Sequence, residues 1–68
     1  MSYKRVKIIR TLKDYGFEFL REGSNHTIFT NGNITIPVGR HNEISPKTAQ
    51  KIAKEIHVSW IEFKSKIN

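Results

Sequence analysis

The spacing of apolar residues predicts a helix at the start of the chain. Four apolar side chains recur at helical spacing within residues 2–15 and form one stripe: Ile8, Ile9, Leu12 and Tyr15. Gly16 follows as a residue typical of a helix C-terminus. Arg5 projects into this stripe near its start, so either its side chain extends to solvent or the helix packs only from its second turn onward.

Three extended segments are predicted after this helix. The first, residues 17–21, alternates apolar and polar positions and places its two phenylalanines on one face. A polar turn over residues 22–25 leads into the second strand, which begins at His26. The third strand is predicted from Asn33 to about Val38. Together the three segments predict an antiparallel meander.

The turn between the second and third strands is predicted at Asn31 and Gly32, because both residues tolerate the positive φ of a type I′ hairpin. A two-residue loop fixes the register. The predicted pairs are Thr30 with Asn33, Phe29 with Ile34, Ile28 with Thr35, Thr27 with Ile36 and His26 with Pro37. Side chains alternate faces, so Thr27, Phe29, Ile34 and Ile36 are predicted to form a core surface. His26 is then expected to face away from the core.

A polar loop over residues 39–45 precedes the second predicted helix. Ser45 is expected to be its N-cap and Pro46 its first helical residue, and the helix should end at about His57. Its apolar stripe is narrow and includes two alanines, which would let it approach the sheet closely. The opposite face is a basic ridge of Lys47, Lys51 and Lys54. Such a ridge is also typical of an ordinary solvated helix face.

A last short helix is predicted to end at about Ile67, because Ser59 and Glu62 have the spacing of a capping box. The element order is therefore α-β-β-β-α-α. This order indicates an α+β fold with helices packed on one face of a three-stranded antiparallel sheet and the other face open. We expect residues 1–68 to form a single domain.

The composition limits the classes of chemistry that the chain can support. A chain of 68 residues has a small core. It has no cysteine, which excludes disulfides and thiolate metal sites and fits a reducing cytosol. Its three histidines are not spaced as a metal cluster, so we predict no metal and no cofactor. The charged N-terminus has neither a signal peptide nor a membrane span, and a cytoplasmic location is expected.

The formal net charge of +6 and the isoelectric point of about 10.0 indicate a polyanionic partner. Nucleic acid fits best, because phosphate contacts release counterions and supply affinity that does not depend on sequence. An acidic protein would be attracted by the same field. Charge that only keeps the domain soluble is the remaining alternative.

A specific motif lies in the predicted hairpin. A turn led by Gly23 is followed by His26, which stands three residues before the aromatic Phe29, and the hairpin closes on Ile36-Pro37. With these residues, the run GFEFLREGSNHTIFTNGNITIPVGRHNEISPKTAQKIAKEI resembles the HicA family of bacterial toxins, and the tail VSWIEF resembles the family's closing helix. Many members have Gly-Ser-His, whereas this chain has Asn25 as one extra turn residue.

The resemblance implies a fold like that of a double-stranded-RNA-binding domain, with His26 as the catalytic residue. It also implies a toxin that degrades mRNA and so arrests translation within a type II toxin-antitoxin pair. The partners implied are RNA, in the form of mRNA, and a HicB-like antitoxin protein that neutralises the toxin.

The chemistry of an imidazole is compatible with this role. An imidazole titrates at about pH 6.5 and can take a proton from a ribose 2′-hydroxyl, with a typical effect of about 10²–10⁴-fold on the rate. The products would be a 2′,3′-cyclic phosphate and a 5′-hydroxyl, although direct hydrolysis remains open. Candidate donors to the developing phosphate charge are Arg21, Arg40 and the backbone N–H groups near Gly23 and Ser24. Either arginine is equally compatible with a solvated loop charge.

Two other functions compete with the nuclease. In a non-catalytic RNA-binding module of double-stranded-RNA-binding-domain type, Lys47, Lys51 and Lys54 would grip phosphates and His26 would have no role. In a protein-interaction domain, charge would serve docking alone. No second histidine or carboxylate is obviously placed as a general acid. The loop of His41 could approach the site, but a surface loop residue without a role is expected, and His57 is expected to be structural at a helix C-terminus.

Overall fold

Five short strands and three helices make up the chain, which the computed structural model describes over residues 1–68. The elements are β1 (Tyr3–Lys4), α1 (Arg5–Asp14), β2 (Glu18–Glu22), β3 (His26–Thr30), β4 (Thr35–Gly39), β5 (Glu43–Ile44), α2 (Pro46–Glu55) and α3 (Trp60–Ile67). The predicted α+β class and the order of the three helices and three main strands are confirmed. No helix combines the length and the apolar character needed to cross a bilayer.

The strands form two separate sheets. Strands β2, β3 and β4 form the predicted antiparallel meander, with β3 in the centre. Strands β1 and β5 pair separately, Tyr3 with Ile44 and Lys4 with Glu43. This second pair was not predicted, because two residues are too few to show a strand period. Helix α1 therefore begins at Arg5 and not at residue 2.

The predicted register of the β3–β4 hairpin is wrong by two residues. The observed pairs are Thr30 with Thr35, Phe29 with Ile36, Ile28 with Pro37, Thr27 with Val38 and His26 with Gly39. Because the shift is even, each side chain keeps its predicted face. Ile36 thus takes the position opposite Phe29 that had been predicted for Ile34, and Val38 takes the position opposite Thr27 that had been predicted for Ile36. Ile34 is only partly buried and packs at the edge of the core.

The side chain of Asn31 explains the longer loop. Its Oδ1 accepts hydrogen bonds from the N–H groups of Asn33 at 2.9 Å and Ile34 at 2.7 Å. In addition, Thr30 Oγ1 donates to the carbonyl of Ile34 at 2.9 Å. Within the loop only Gly32 has a positive φ, of 96°. The asparagine therefore caps a wider turn through its side chain instead of adopting the backbone conformation of a type I′ turn.

One core joins the three helices to the inner face of the main sheet. Its largest fully buried side chains are Phe63, Ile8, Leu12, Ile36, Ile67 and Val38. The predicted starts of the last two helices are confirmed: Ser45 Oγ accepts from the N–H of Thr48, and Ser59 Oγ accepts from the N–H of Glu62, each at 3.2 Å. The predicted capping box is only half formed, because the carboxylate of Glu62 instead accepts a hydrogen bond from Tyr15.

Strand β2 is an exposed edge. All five of its residues are exposed, and the pairing with β3 is irregular between Phe19 and Arg21. Phe17, predicted to begin the strand, lies just before it and is buried, whereas Phe19 is 56% exposed. Phe19 still lies on the inner face, because it pairs with Phe29 and meets its ring edge-on at 6.4 Å. This edge of the sheet is therefore left uncovered by the helices.

Candidate active site

The turn that precedes His26 is tight. The N–H of Gly23 donates to the carbonyl of His26 at 2.7 Å. A Cβ atom on residue 23 would lie 3.1 Å from that same carbonyl oxygen, closer than most real Cβ contacts. A glycine is therefore favoured at this position, where the chain turns back on itself before β3. The turn therefore sets the position of the His26 backbone, at the start of β3.

Arg40 binds this turn from the end of β4. Its Nε and Nη2 donate to Glu22 Oε1 at 3.1 and 2.8 Å, and its Nη1 donates to the carbonyl of Ser24 at 3.0 Å. Its Nη2 also donates to the carbonyls of Gly23 and His26. The hydrogen bond from Arg40, followed by that from Thr27, holds the pKa of the Glu22 carboxyl below its ordinary value of 4.5.

A second arginine supports the start of β3 from within the protein. Thr27 is buried, and its Oγ1 accepts a hydrogen bond from Arg5 Nη2 at 2.8 Å while donating to Glu22 Oε1 at 3.0 Å. Arg5 Nε also donates to the carbonyl of Gly39 at 2.7 Å. This contact explains the arginine in the apolar stripe of α1: its guanidinium reaches polar partners on β3 and β4.

A groove of about 480 Å³ opens beside His26, whose side chain is exposed as predicted. Strand β4 contributes Pro37 and Gly39 to its lining, and α2 contributes Lys51 and Glu55. The groove therefore runs between the outer edge of the main sheet and the second helix. An imidazole, an ammonium group and open space for a ligand meet there.

His41 also lines this groove. The sequence favoured a surface loop residue without a role and left open an approach of this loop to the site, but no local pattern around residue 41 showed that the loop returns to the groove. The pairing of β1 with β5 places it there, because β5 begins two residues later at Glu43.

The other predicted site residues lie in different places. Arg21 pairs with Ile28 and so lies on the open face of the sheet, one strand away from His26. Arg40 contacts the turn and not the groove, and the N–H of Gly23 is already bonded to His26. Lys47 and Lys54 line a second groove of about 520 Å³ together with Trp60.

Lys51 lines both grooves and so connects them across α2. No group of three or more histidine or acidic side chains is arranged to hold a metal ion. The ionisable groups that line the groove of His26 are imidazole, ammonium and carboxylate groups.

Comparison with known proteins identifies the family. The sequence model described as the HicA toxin of bacterial toxin-antitoxin matches residues 6–58, which is most of the chain. The chain belongs to the HicA toxin family. HicA toxins are generally mRNA-cleaving proteins. No curated protein and no solved structure matches this chain.

The HicA match contains all the elements that build the groove. It begins within α1, includes the His26 turn and both grooves' lysines, and ends at Val58, just before α3. Helix α3 lies beyond the match, yet it supplies Phe63 and Ile67 to the core.

Proposed function

We propose that this HicA protein is a metal-independent endoribonuclease that cleaves mRNA through His26 and thereby arrests translation. The observation that carries the proposal is the position of His26. Its imidazole is exposed beside an open groove, while its backbone is fixed by hydrogen bonds to Gly23 and Arg40. A mobile surface histidine would not need this support.

The proposed reaction begins with proton transfer to His26. The imidazole takes the proton of a ribose 2′-hydroxyl, and the oxygen attacks the adjacent phosphorus in line. The bond from phosphorus to the 5′-oxygen breaks, which leaves a 2′,3′-cyclic phosphate and a 5′-hydroxyl. Positioning contributes strongly to such a step, because the attacking oxygen and the base must both be held in place.

We assign the two arginines of the site to positioning. Arg40 already donates to the turn, and Arg5 donates to Thr27 and Gly39, so both guanidinium groups hold the backbone around His26. Arg40 remains partly exposed, and its contact with a phosphate is a further part of the proposal. Arg21 and the backbone of Ser24 are proposed to contact RNA from the open face.

We propose that the lysines of α2 bind the RNA strand. Lys51 lines the same groove as His26 and would contact the phosphate next to the cleaved bond. Lys47 and Lys54, with Trp60, line the second groove and would bind nucleotides farther along the strand. The net charge of +6 favours this binding over the whole surface.

A HicB-type antitoxin is proposed to neutralise the toxin by covering the groove. An acidic partner would be attracted by the same positive field that attracts RNA. Contact with the open face around His26 would exclude the substrate. A complex that leaves this face accessible would contradict the proposal. The expected location of the toxin and its antitoxin is the cytoplasm.

The second candidate function is RNA binding without cleavage. It is favoured by one observation: the groove lined by Lys47, Lys54 and Trp60 does not include His26. A lysine-lined groove on the second helix suits recognition of RNA by its phosphates.

Cleavage of a defined RNA separates the two functions. Wild type and His26→Ala are incubated with a single-stranded mRNA in the presence of a chelator, and the ends of the fragments are analysed. Asn33→Ala is the matched control, because residue 33 is exposed at the far end of the same hairpin. Cleavage by wild type and Asn33→Ala, but not by His26→Ala, supports the nuclease. Equal RNA binding without cleavage by all three proteins supports the binding module.

A further inference from the structure

The end of the β3–β4 ladder brings a second imidazole to the groove of His26. The last pair of the ladder is His26 with Gly39, and His41 follows two residues after that glycine. Both histidines line the same groove, one from β3 and one from the loop that follows β4.

The space beside Gly39 is open. Gly39 lines the groove, and a Cβ atom built on it would meet no other atom within 4 Å. Gly39 is not in the left-handed region, so backbone conformation does not require a glycine there. The missing side chain instead leaves open space in the groove that both imidazoles line, where a group the size of a phosphate can enter.

Cleavage by a 2′-hydroxyl needs a proton donor as well as a base. The departing 5′-oxygen is a strongly basic alkoxide unless it is protonated as the bond breaks. The base cannot supply this proton at the same moment, since it is receiving one. The groove must therefore contain a second group that holds a proton near neutral pH and can release it.

Among the ionisable groups of the groove, His41 fits this requirement best. The others are Glu43, Lys51 and Glu55. A lysine ammonium holds its proton too firmly, with an ordinary pKa of about 10.4, and a carboxyl group with an ordinary pKa of about 4.3 has already lost it. Glu43 is also engaged by the hydroxyl of Ser2 and the ammonium of Lys4.

We propose that His41 is the general acid of the cleavage reaction. This inference rests on the proposed function of His26. As the 2′-oxygen bonds to phosphorus and its proton passes to His26, the bond from phosphorus to the 5′-oxygen breaks and that oxygen takes a proton from the His41 imidazolium. After the step His26 is protonated and His41 is neutral. Proton exchange with water then restores the starting protonation state of each imidazole.

A substrate with sulfur in place of the bridging 5′-oxygen tests the role directly. A thiol has an ordinary pKa of about 8.5, so a thiolate leaves without being protonated. Wild type, His26→Ala, His41→Ala and Asn42→Ala are each assayed on a short single-stranded RNA with one oxygen or one sulfur at the cleaved bond. Asn42→Ala is the matched control, because it is exposed in the same loop and does not line the groove.

We expect His41→Ala to lose about 100-fold or more of the cleavage rate on the oxygen substrate, in the range of general acid catalysis. On the sulfur substrate its rate should approach that of wild type. His26→Ala should be slow on both substrates, because the base is still needed, and Asn42→Ala should resemble wild type on both. Circular dichroism melting checks that each variant is folded.

Three results would overturn the assignment. An undiminished rate of His41→Ala on the oxygen substrate would show that another group donates the proton. An equal loss on both substrates would show that His41 acts in binding or positioning. If folded wild type cleaves neither substrate, the proposed nuclease itself fails, and this outcome is distinct from a failure confined to His41.

Discussion

Replacement of Thr27 by valine tests whether the buried polar contact beneath the His26 turn stabilises the fold. Thr27 is 4% exposed, and its hydroxyl bonds both Arg5 and Glu22. Valine has almost the same shape but no hydroxyl group. The substitution therefore removes the acceptor of Arg5 Nη2 without creating a cavity.

The size of the effect follows from the burial of each partner. A hydrogen bond to a charged group contributes about 1.5–3 kcal/mol, and the lower end applies because Arg5 is only partly buried. Burial of the added methyl group stabilises the folded state by about 0.8 kcal/mol. Glu22 is exposed, so water replaces its lost bond and we assign that bond no energy. The free energy of unfolding should fall by about 1 kcal/mol, which lowers Tm by about 4–8 °C in a domain of this size.

Urea unfolding followed by the fluorescence of Trp60, with thermal melting, measures this change. The control is the same substitution in an Arg5→Met background. There the charged donor is absent, so Thr27→Val should be neutral or stabilising. The reasoning is refuted if Thr27→Val is as stable as wild type, or if its cost is the same in both backgrounds.

Three further substitutions probe the turn and the grooves. Because Arg40 lowers the pKa of Glu22, this carboxylate contributes stability that is present above its ordinary pKa of 4.5 and lost as the pH falls through the lower folded-state value. The urea midpoints of wild type and Glu22→Gln should therefore converge on acidification, and a difference that is independent of pH would contradict this linkage. Gly39→Leu should fill the open space in the groove that both histidines line and lower kcat/KM by about tenfold or more, with Gly39→Ala affected less; unchanged cleavage by the leucine variant would show that the substrate does not enter there. Lys51→Ala should reduce the slope of log K for single-stranded RNA against log salt by about 0.7, whereas Lys64→Ala, the same charge change on α3, should not. Equal slopes for the two variants would remove Lys51 from the RNA site.

The sequence predicted those features that depend on periodicity and local chemistry. The face of His26 was predicted correctly even though the hairpin register was wrong, because a shift of two residues preserves the alternation of faces. The helix start at Ser45 was also predicted correctly, since an N-cap depends only on its neighbours. The hairpin turn was predicted incorrectly because the Asn31 side chain competes with the turn that its backbone could form.

Features that depend on distant contacts could not be predicted. Arg40 was a candidate phosphate donor or a solvated loop charge, and nothing in its neighbourhood showed that it would contact a turn 14 to 18 residues earlier in the chain. The position of Arg5 in an apolar stripe was a signal for a polar partner across the core, but the partner was unspecified. His41 lines the groove of His26 from the loop just before β5, which pairs with the N-terminal strand.

The pairing of β1 with β5 also bears on the order in which parts of the molecule unfold. Two short strands hold the loop that carries His41, and their contact spans 41 residues, as in the bond between Ser2 and Glu43. Such a small interface is expected to open locally before the core does. On gradual warming, amide hydrogens at residues 40–44 should exchange before those of β3, and one wall of the groove would be lost while most of the molecule is still folded.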